Sequence, residues 1–274
     1  MNYPRFPDWL IYFAATGAIL VAAVSRQEHT DTPEPPPPGA ERVPLGPDSP
    51  FDPATVIRTG VNRGQHRGAA FAVAEGGVWL TARSEVHGCE RLALKVAEGR
   101  AVGAHLAEGG DGAIAVLRTQ GGPPPLVIAT GLEPRDGVRA FLIGFPKGAP
   151  GEASVMRMTT SELPRESRAQ PAIPVQVWAE TGRTTAMPGP LTGLVGAPVV
   201  GADHQVVGLV LRQEARHARF YSTGAAALNA AVRAANASPA PPAPAETATV
   251  ENYGRVADDL RRSRQVAQVL CLVR

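Results

Sequence analysis

Short apolar runs separated by glycine and proline dominate the middle of this chain. Runs at 69–73, 78–82, 92–96, 114–117, 126–129, 138–143, 175–179, 197–200 and 206–211 are each four to six residues long, with glycine recurring every 8 to 15 residues. Runs of that length bounded by turn residues predict strands, and many short strands predict a sandwich or barrel. Helical periodicity enters only after the last run, over 223–235, where Ser222 or Thr223 is placed to cap the first turn. Further on, 253–262 predicts a second helix, and the run VAQVLCLV at 266–273 is too uniformly apolar for an exposed terminus. It reads as a strand or short segment packed back on the main body. A helix satisfies the pattern nearly as well, because short apolar runs do not separate the two.

The other long apolar feature lies at the N-terminus, where residues 9–24 read WLIYFAATGAILVAAV, sixteen positions without a charge. A bilayer core takes about 20 apolar residues, and Tyr3, Phe6 and Trp9 extend the run as interfacial anchors. A cleaved signal peptide would want small residues at its cleavage site, and Ala22-Ala23-Val24-Ser25 matches A-x-A poorly. The sequence therefore predicts an uncleaved transmembrane helix. The segment that follows is acidic and no basic cluster holds it in the cytoplasm, which places the bulk outside: a single pass through the inner membrane, with the folded domain in the periplasm. Proline then crowds 33–50, a composition that favours extended spacer geometry over a packed core. A second Pro/Ala stretch covers 238–245. The expected organisation is an anchor over 1–26, a proline-rich linker over 27–53, a folded domain over 54–235, a Pro/Ala linker over 236–250 and a C-terminal segment over 251–274 packed back on that domain.

Composition narrows the chemistry. Lysine and arginine total 27 against 25 acids, a net charge of +2, and no basic run is interleaved with aromatics, which argues against nucleic acid as a partner. The six histidines, His29, His66, His87, His105, His204 and His217, are scattered without ligand spacing, so neither a metal nor another cofactor is expected. The two cysteines, Cys89 and Cys271, lack the spacing of a zinc or redox site. They read either as one disulfide or as two buried thiols, and an oxidising exterior favours the disulfide.

Three windows in order resemble the active-site windows of trypsin-like serine proteases of the bacterial secreted and HtrA-like type, over about residues 54–235. Gly68-Ala-Ala-Phe-Ala-Val and Val78-Trp-Leu-Thr-Ala-Arg resemble the strand pair leading to T-A-x-H, with Ser84 where the histidine base belongs. Asp111-Gly-Ala-Ile-Ala-Val-Leu is similar to the family's D-[IL]-A-[VL]-L, with Ala113 in the place of the orienting aspartate. Gly193-Leu-Val-Gly-Ala-Pro-Val resembles G-x-S-G-[GA]-P-V, with Val195 in the place of the nucleophile. Gly144-Phe-Pro-Lys-Gly resembles the G-[YF]-P loop, and Gln205-Val-Val-Gly-Leu-Val-Leu stands where the family has its substrate-edge strand.

The resemblance implies an all-β fold of two antiparallel six-stranded barrels, here with an N-terminal transmembrane helix and a C-terminal helix. Acyl transfer by this family's mechanism needs a nucleophilic oxygen, a base and a carboxylate; at those positions valine has no lone pair, a serine hydroxyl is no base near neutral pH and alanine cannot accept the imidazole hydrogen bond. The implied protein is a pseudoprotease that holds an extended peptide or envelope protein, as a scaffold or regulator. Its binding elements are the turn at Gly193 and Val195 and the edge at Val210, Leu211, Arg212 and Gln213. Two alternatives compete with it. One is a purely architectural protein with a collapsed cleft. The other is an active serine endopeptidase built from His87, Asp111 and Thr192, each two or three positions from a vacated site. Shifts of about 4.5 Å along a helix or 6.6 Å along a strand weigh against that rescue.

Overall fold

The computed structural model describes residues 56–58, 66–97, 99–107, 112–131, 133–163, 173–184, 191–241 and 246–272. All of them belong to one unit, Pro47–Arg274. The expected anchor over 1–26, the linker over 27–53 and Asp111 lie outside the described residues. Among the described residues no helix is long and apolar enough to cross a membrane.

The chain begins with β1 (Val56–Arg58), β2 (His66–Ala74), β3 (Val78–Ala82), β4 (Arg91–Ala97), β5 (Arg100–Leu106) and β6 (Ile114–Arg118). It continues with β7 (Arg139–Gly144), β8 (Gly151–Leu163), β9 (Ile173–Arg183), β10 (Pro198–Val200), β11 (Val206–Glu214) and β12 (Arg219–Gly224). Two helices, α1 (Ala225–Ala234) and α2 (Tyr253–Arg262), precede the last strand, β13 (Val266–Leu272). The second barrel closes in the order β10-β11-β12-β9-β8-β7. The first runs β5-β4-β13-β2-β3-β6 and is shut by His105↔Arg118 and Leu106↔Leu117, with β1 added to β5. Both are antiparallel rings of six strands. The C-terminal strand is thus a stave of the first barrel, paired on both edges, and not a segment laid over its surface.

In β3, β6 and the second half of β2 the apolar run is continuous because both faces of the strand are covered, so polar positions do not alternate with apolar ones. In β2, Ala70 and Ala72 fill the first barrel with Trp79, Leu94, Leu117, Ala267 and Val269. The intervening Ala69, Phe71 and Val73 join the larger core that runs into the second barrel. The run at 126–129 forms no strand of its own, only the bridge Ile128↔Val206. Pro123, Pro124 and Pro125 just before it have no N–H for a ladder. The segment crosses between barrels instead, Leu126 N–H donating to Ala72 of the first at 2.8 Å and Val206 N–H of the second donating to Val127 at 2.8 Å.

Neither expected hydroxyl caps α1. The helix starts at Gly224 with no side-chain cap, the Ser222 hydroxyl being taken by the Trp178 indole N–H at 2.9 Å inside the second barrel. Helix α2 buries Val256, Ala257 and Leu260, and its last turn sends Arg261 to Glu152 of β8 at 2.6 Å, both side chains under a tenth exposed. Arg261 also donates to the Gly151 carbonyl at 3.2 Å. This latch delivers β13 to its slot.

Candidate functional site at the junction of the barrels

The first window runs into a turn after β3, and the second and third open with turns before β6 and β10. A 3-10 turn, Arg83–Glu85, follows β3 and carries Ser84, which is exposed. Arg83 N–H donates to the Ala113 carbonyl at 2.9 Å and its guanidinium to the Ile114 carbonyl at 2.9 Å, which fastens the Ser84 turn to the start of β6. The 193–196 turn is held from both barrels. Val195 carbonyl accepts from Ala69 N–H at 2.9 Å, while Gly196 N–H donates to Val210 carbonyl at 2.7 Å. Gly193 and Gly196 take φ of 88° and 82°, left-handed values that favour glycine. A side chain at Gly196 would overlap the Ala69 carbonyl and approach the Thr81 hydroxyl.

Val195 is half-buried and packs against the main core, Ala113 offers a methyl group, and the Ser84 hydroxyl donates to Glu85 at 3.2 Å. Glu85 was not singled out by sequence, because no motif marks the residue after Ser84. Its other carboxylate oxygen accepts Gly68 N–H at 2.5 Å, beside the Val195 carbonyl. The carboxylate therefore braces the Ser84 turn against β2.

Of the three displaced residues, His87 and Thr192 are described and Asp111 is not. His87 is exposed, with its N–H returned to the Arg83 carbonyl at 3.0 Å, and Thr192 is exposed. Among the described residues no hydrogen bond links a hydroxyl to an imidazole.

The expected binding edge is shorter than the sequence suggests. Val210 is fully buried, its N–H donating to Ala197 at 3.0 Å and its carbonyl taken by Gly196. Leu211 is the bulge residue; past it, residues 212–214 pair with β12 on one side, and 211–214 have no partner strand on the other among the described residues. Gln213 turns inward and accepts Leu194 N–H at 3.4 Å, joining this edge to the 193–196 turn. Arg212 lies outward over the Tyr221 ring, 5.7 Å from its centroid. At the end of the strand Glu214 accepts from Tyr221 at 3.0 Å and meets His217 Nδ1 at 2.8 Å, and these two bonds hold its carboxyl below the usual range.

Cys89, at the end of the loop after the Ser84 turn, is disulfide-bonded to Cys271 of β13, Cα to Cα 5.2 Å. The last stave of the first barrel is thereby tied covalently to the loop that carries the candidate site.

Two six-stranded antiparallel barrels with converging turns at their junction define the trypsin-like class. The chain belongs to the trypsin-like peptidase domain family, which matches residues 68–209, more than half of its length. Among solved structures it is similar to the Rv3671c protease of M. tuberculosis in its active form, at a TM-score of 0.53 and 16% identity over 66% of this chain and 78% of that one. The inactive form of that protease gives 0.51 and 18% identity over 62% and 84%. At such identities the likeness is one of fold. No curated protein matches the chain in sequence.

Proposed function

We propose that this trypsin-like domain holds an extended peptide or a protein partner at the junction of its barrels and does not cleave it. The observation that carries the reading is the trio Ser84, Ala113 and Val195, standing where the family resemblance places base, orienting carboxylate and nucleophile. Valine has no lone pair to attack a carbonyl. A serine hydroxyl does not take up a proton near neutral pH, and alanine cannot hold an imidazole in one tautomer. The family mechanism loses almost all its rate when any one member goes, leaving roughly 10³- to 10⁴-fold over water.

What the domain retains is the means to bind. The free edge at 211–214 offers backbone N–H and C=O groups for strand addition, and Gly193 leaves the adjoining turn open to a ligand's main chain. The location follows from two supports, the apolar run at 9–24 and the disulfide. A disulfide persists in an oxidising compartment, which fits a domain held on the outer face of the inner membrane. There it acts as a scaffold or regulator.

The test is to incubate the full chain with a panel of extended peptides, measure binding by calorimetry and recover the peptides for mass spectrometry. Saturable binding with every peptide recovered intact is expected. A chain that binds none of them is not a peptide holder, and recovered fragments would make it a protease.

A further inference from the structure

The β11–β12 hairpin beside the free edge carries an uneven charge. Its register pairs Arg212 with Tyr221, Gln213 with Phe220 and Glu214 with Arg219. Strand alternation therefore sets Gln213 and Phe220 inward, toward the Leu194 amide and the core, and puts Arg212, Glu214, Arg219 and Tyr221 on the opposite face. The connecting turn, Ala215–His217, adds Arg216 and His217, both exposed. Between 211 and 221 stand three arginines and one glutamate, so this one hairpin holds as much excess positive charge as the whole chain, whose net is +2. The single acid is already engaged by His217 and Tyr221. Arg212, Arg216 and Arg219 make no ion pair with a carboxylate among the described residues.

We infer that the ligand of the 211–214 edge is an extended peptide rich in carboxylates, selected by Arg212, Arg216 and Arg219; this rests on the peptide-holding reading above. An added strand runs alongside β11 with its side chains alternating at about 6.6–7 Å spacing. Every second side chain then lies on the face that carries Arg212 on the adjoining strand and Arg219 on β12, about 10 Å from the ligand and within reach of a long side chain, and a ligand continuing past Glu214 reaches Arg216 at the turn. Guanidinium suits carboxylate better than ammonium does, because its fork of donors matches the two oxygens. Arg212 is also held in place by the Tyr221 ring beneath it, which lowers the cost of ordering it on binding. An exposed ion pair contributes a small factor, about two- to fivefold, so three acting together give a preference on the order of tenfold. Such a preference weakens as added salt shortens the screening length.

The experiment uses the full chain and two fluorescent decapeptide pools, degenerate over Val, Ile, Thr and Ala at alternate positions. One pool carries three fixed Glu and the other three fixed Gln at the same places. Anisotropy at low salt is expected to show the Glu pool binding about tenfold tighter, with the ratio approaching one at high salt. In the double variant Arg216→Gln/Arg219→Gln the ratio should fall to about twofold, and in Arg216→Glu/Arg219→Glu it should invert. Both variants change exposed side chains, and circular dichroism verifies that they fold. Equal binding of the two pools overturns the charge selection and leaves peptide holding intact. Failure of both pools to bind overturns peptide holding and the selection with it. A Glu preference that survives unchanged in both variants removes the hairpin as its source.

Discussion

The amide of Ala69 donates to the carbonyl of Val195 at 2.9 Å, and this bond joins the first barrel to the turn that resembles in sequence the family's nucleophile turn. Gly68, one residue earlier, is packed so closely that any side chain there would overlap the same carbonyl. The obstacle is backbone, held from its other side by Gly196 and Val210, so it has no rotamer with which to yield. Gly68→Ala is expected to destabilise the protein by about 1–3 kcal/mol, the usual cost of forcing atoms into a filled site. Urea unfolding measures this, and an unchanged midpoint would mean that the turn does not lie against β2.

The tail is latched twice, and the latches can be separated. Arg261 and Glu152 form a buried ion pair, each less than a tenth exposed. Arg261 keeps Asp258 at 2.7 Å as a second partner, but removing Arg261 strands the buried Glu152 carboxylate, at a cost of about 3–5 kcal/mol. Arg261→Ala should therefore be strongly destabilising, whereas Arg261→Met combined with Glu152→Gln should recover most of the loss. Thermal melting of the three proteins distinguishes these outcomes; a single variant as stable as wild type would show that the pair does not hold α2 on β8.

The second latch is Cys89–Cys271, which closes a sequence separation of 182 residues. A cross-link over so long a loop removes much of the freedom of the unfolded chain, about 2–5 kcal/mol in practice. Cys89→Ser, Cys271→Ser and the reduced wild type should share one lowered melting temperature, with no further drop when reductant is added to either variant. Because β13 keeps its hydrogen bonds to β2 and β4, the reduced protein is still expected to fold.

Stability should also fall on mild acidification, through His204. Burial pushes its imidazole below the ordinary value of 6.5, outweighing the opposing pull of Glu246 and Asp203, and the Arg255 charge adds to the depression. The unfolded chain then binds more protons at this position than the folded one, so stability rises with pH. The contribution is complete above about pH 7 and is lost as pH drops below 6.5 toward the folded value. His204 has φ of 61°, a conformation that asparagine tolerates well, so His204→Asn preserves the turn while removing the titration. Urea midpoints at pH 7.5 and 5.5 should differ less in this variant than in wild type; an equal difference would assign the effect elsewhere.

Much of this architecture is legible in the chain, and the gaps have physical causes. The run at 78–82 coincides with β3, and those at 92–96, 114–117 and 206–211 lie within β4, β6 and β11. β3 and β6, buried on both faces, leave an uninterrupted apolar signal. β8 leaves none, because its outer half, Met158 to Glu162, is exposed and written largely in threonine, serine and glutamate. β12 adds no apolar run, and its Ser222 and Thr223 have the residue types of helix caps, yet Ser222 serves Trp178 inside the barrel. The place of β13 between β2 and β4 could not be read from an apolar run, since pairing partners are a property of the whole barrel. At the site, the choice of Ser84, Ala113 and Val195 rests on their sequence windows. The bracing role of Glu85 depends on a contact with Gly68 that no spacing encodes.

Covalent labelling tests the central claim most directly. The full chain, treated with a fluorophosphonate probe that reports any activated serine or threonine hydroxyl, should remain unlabelled across the pH range in which it is folded. Stoichiometric labelling that disappears in Thr192→Ala would contradict the account, showing that a working nucleophile has been rebuilt three residues before Val195.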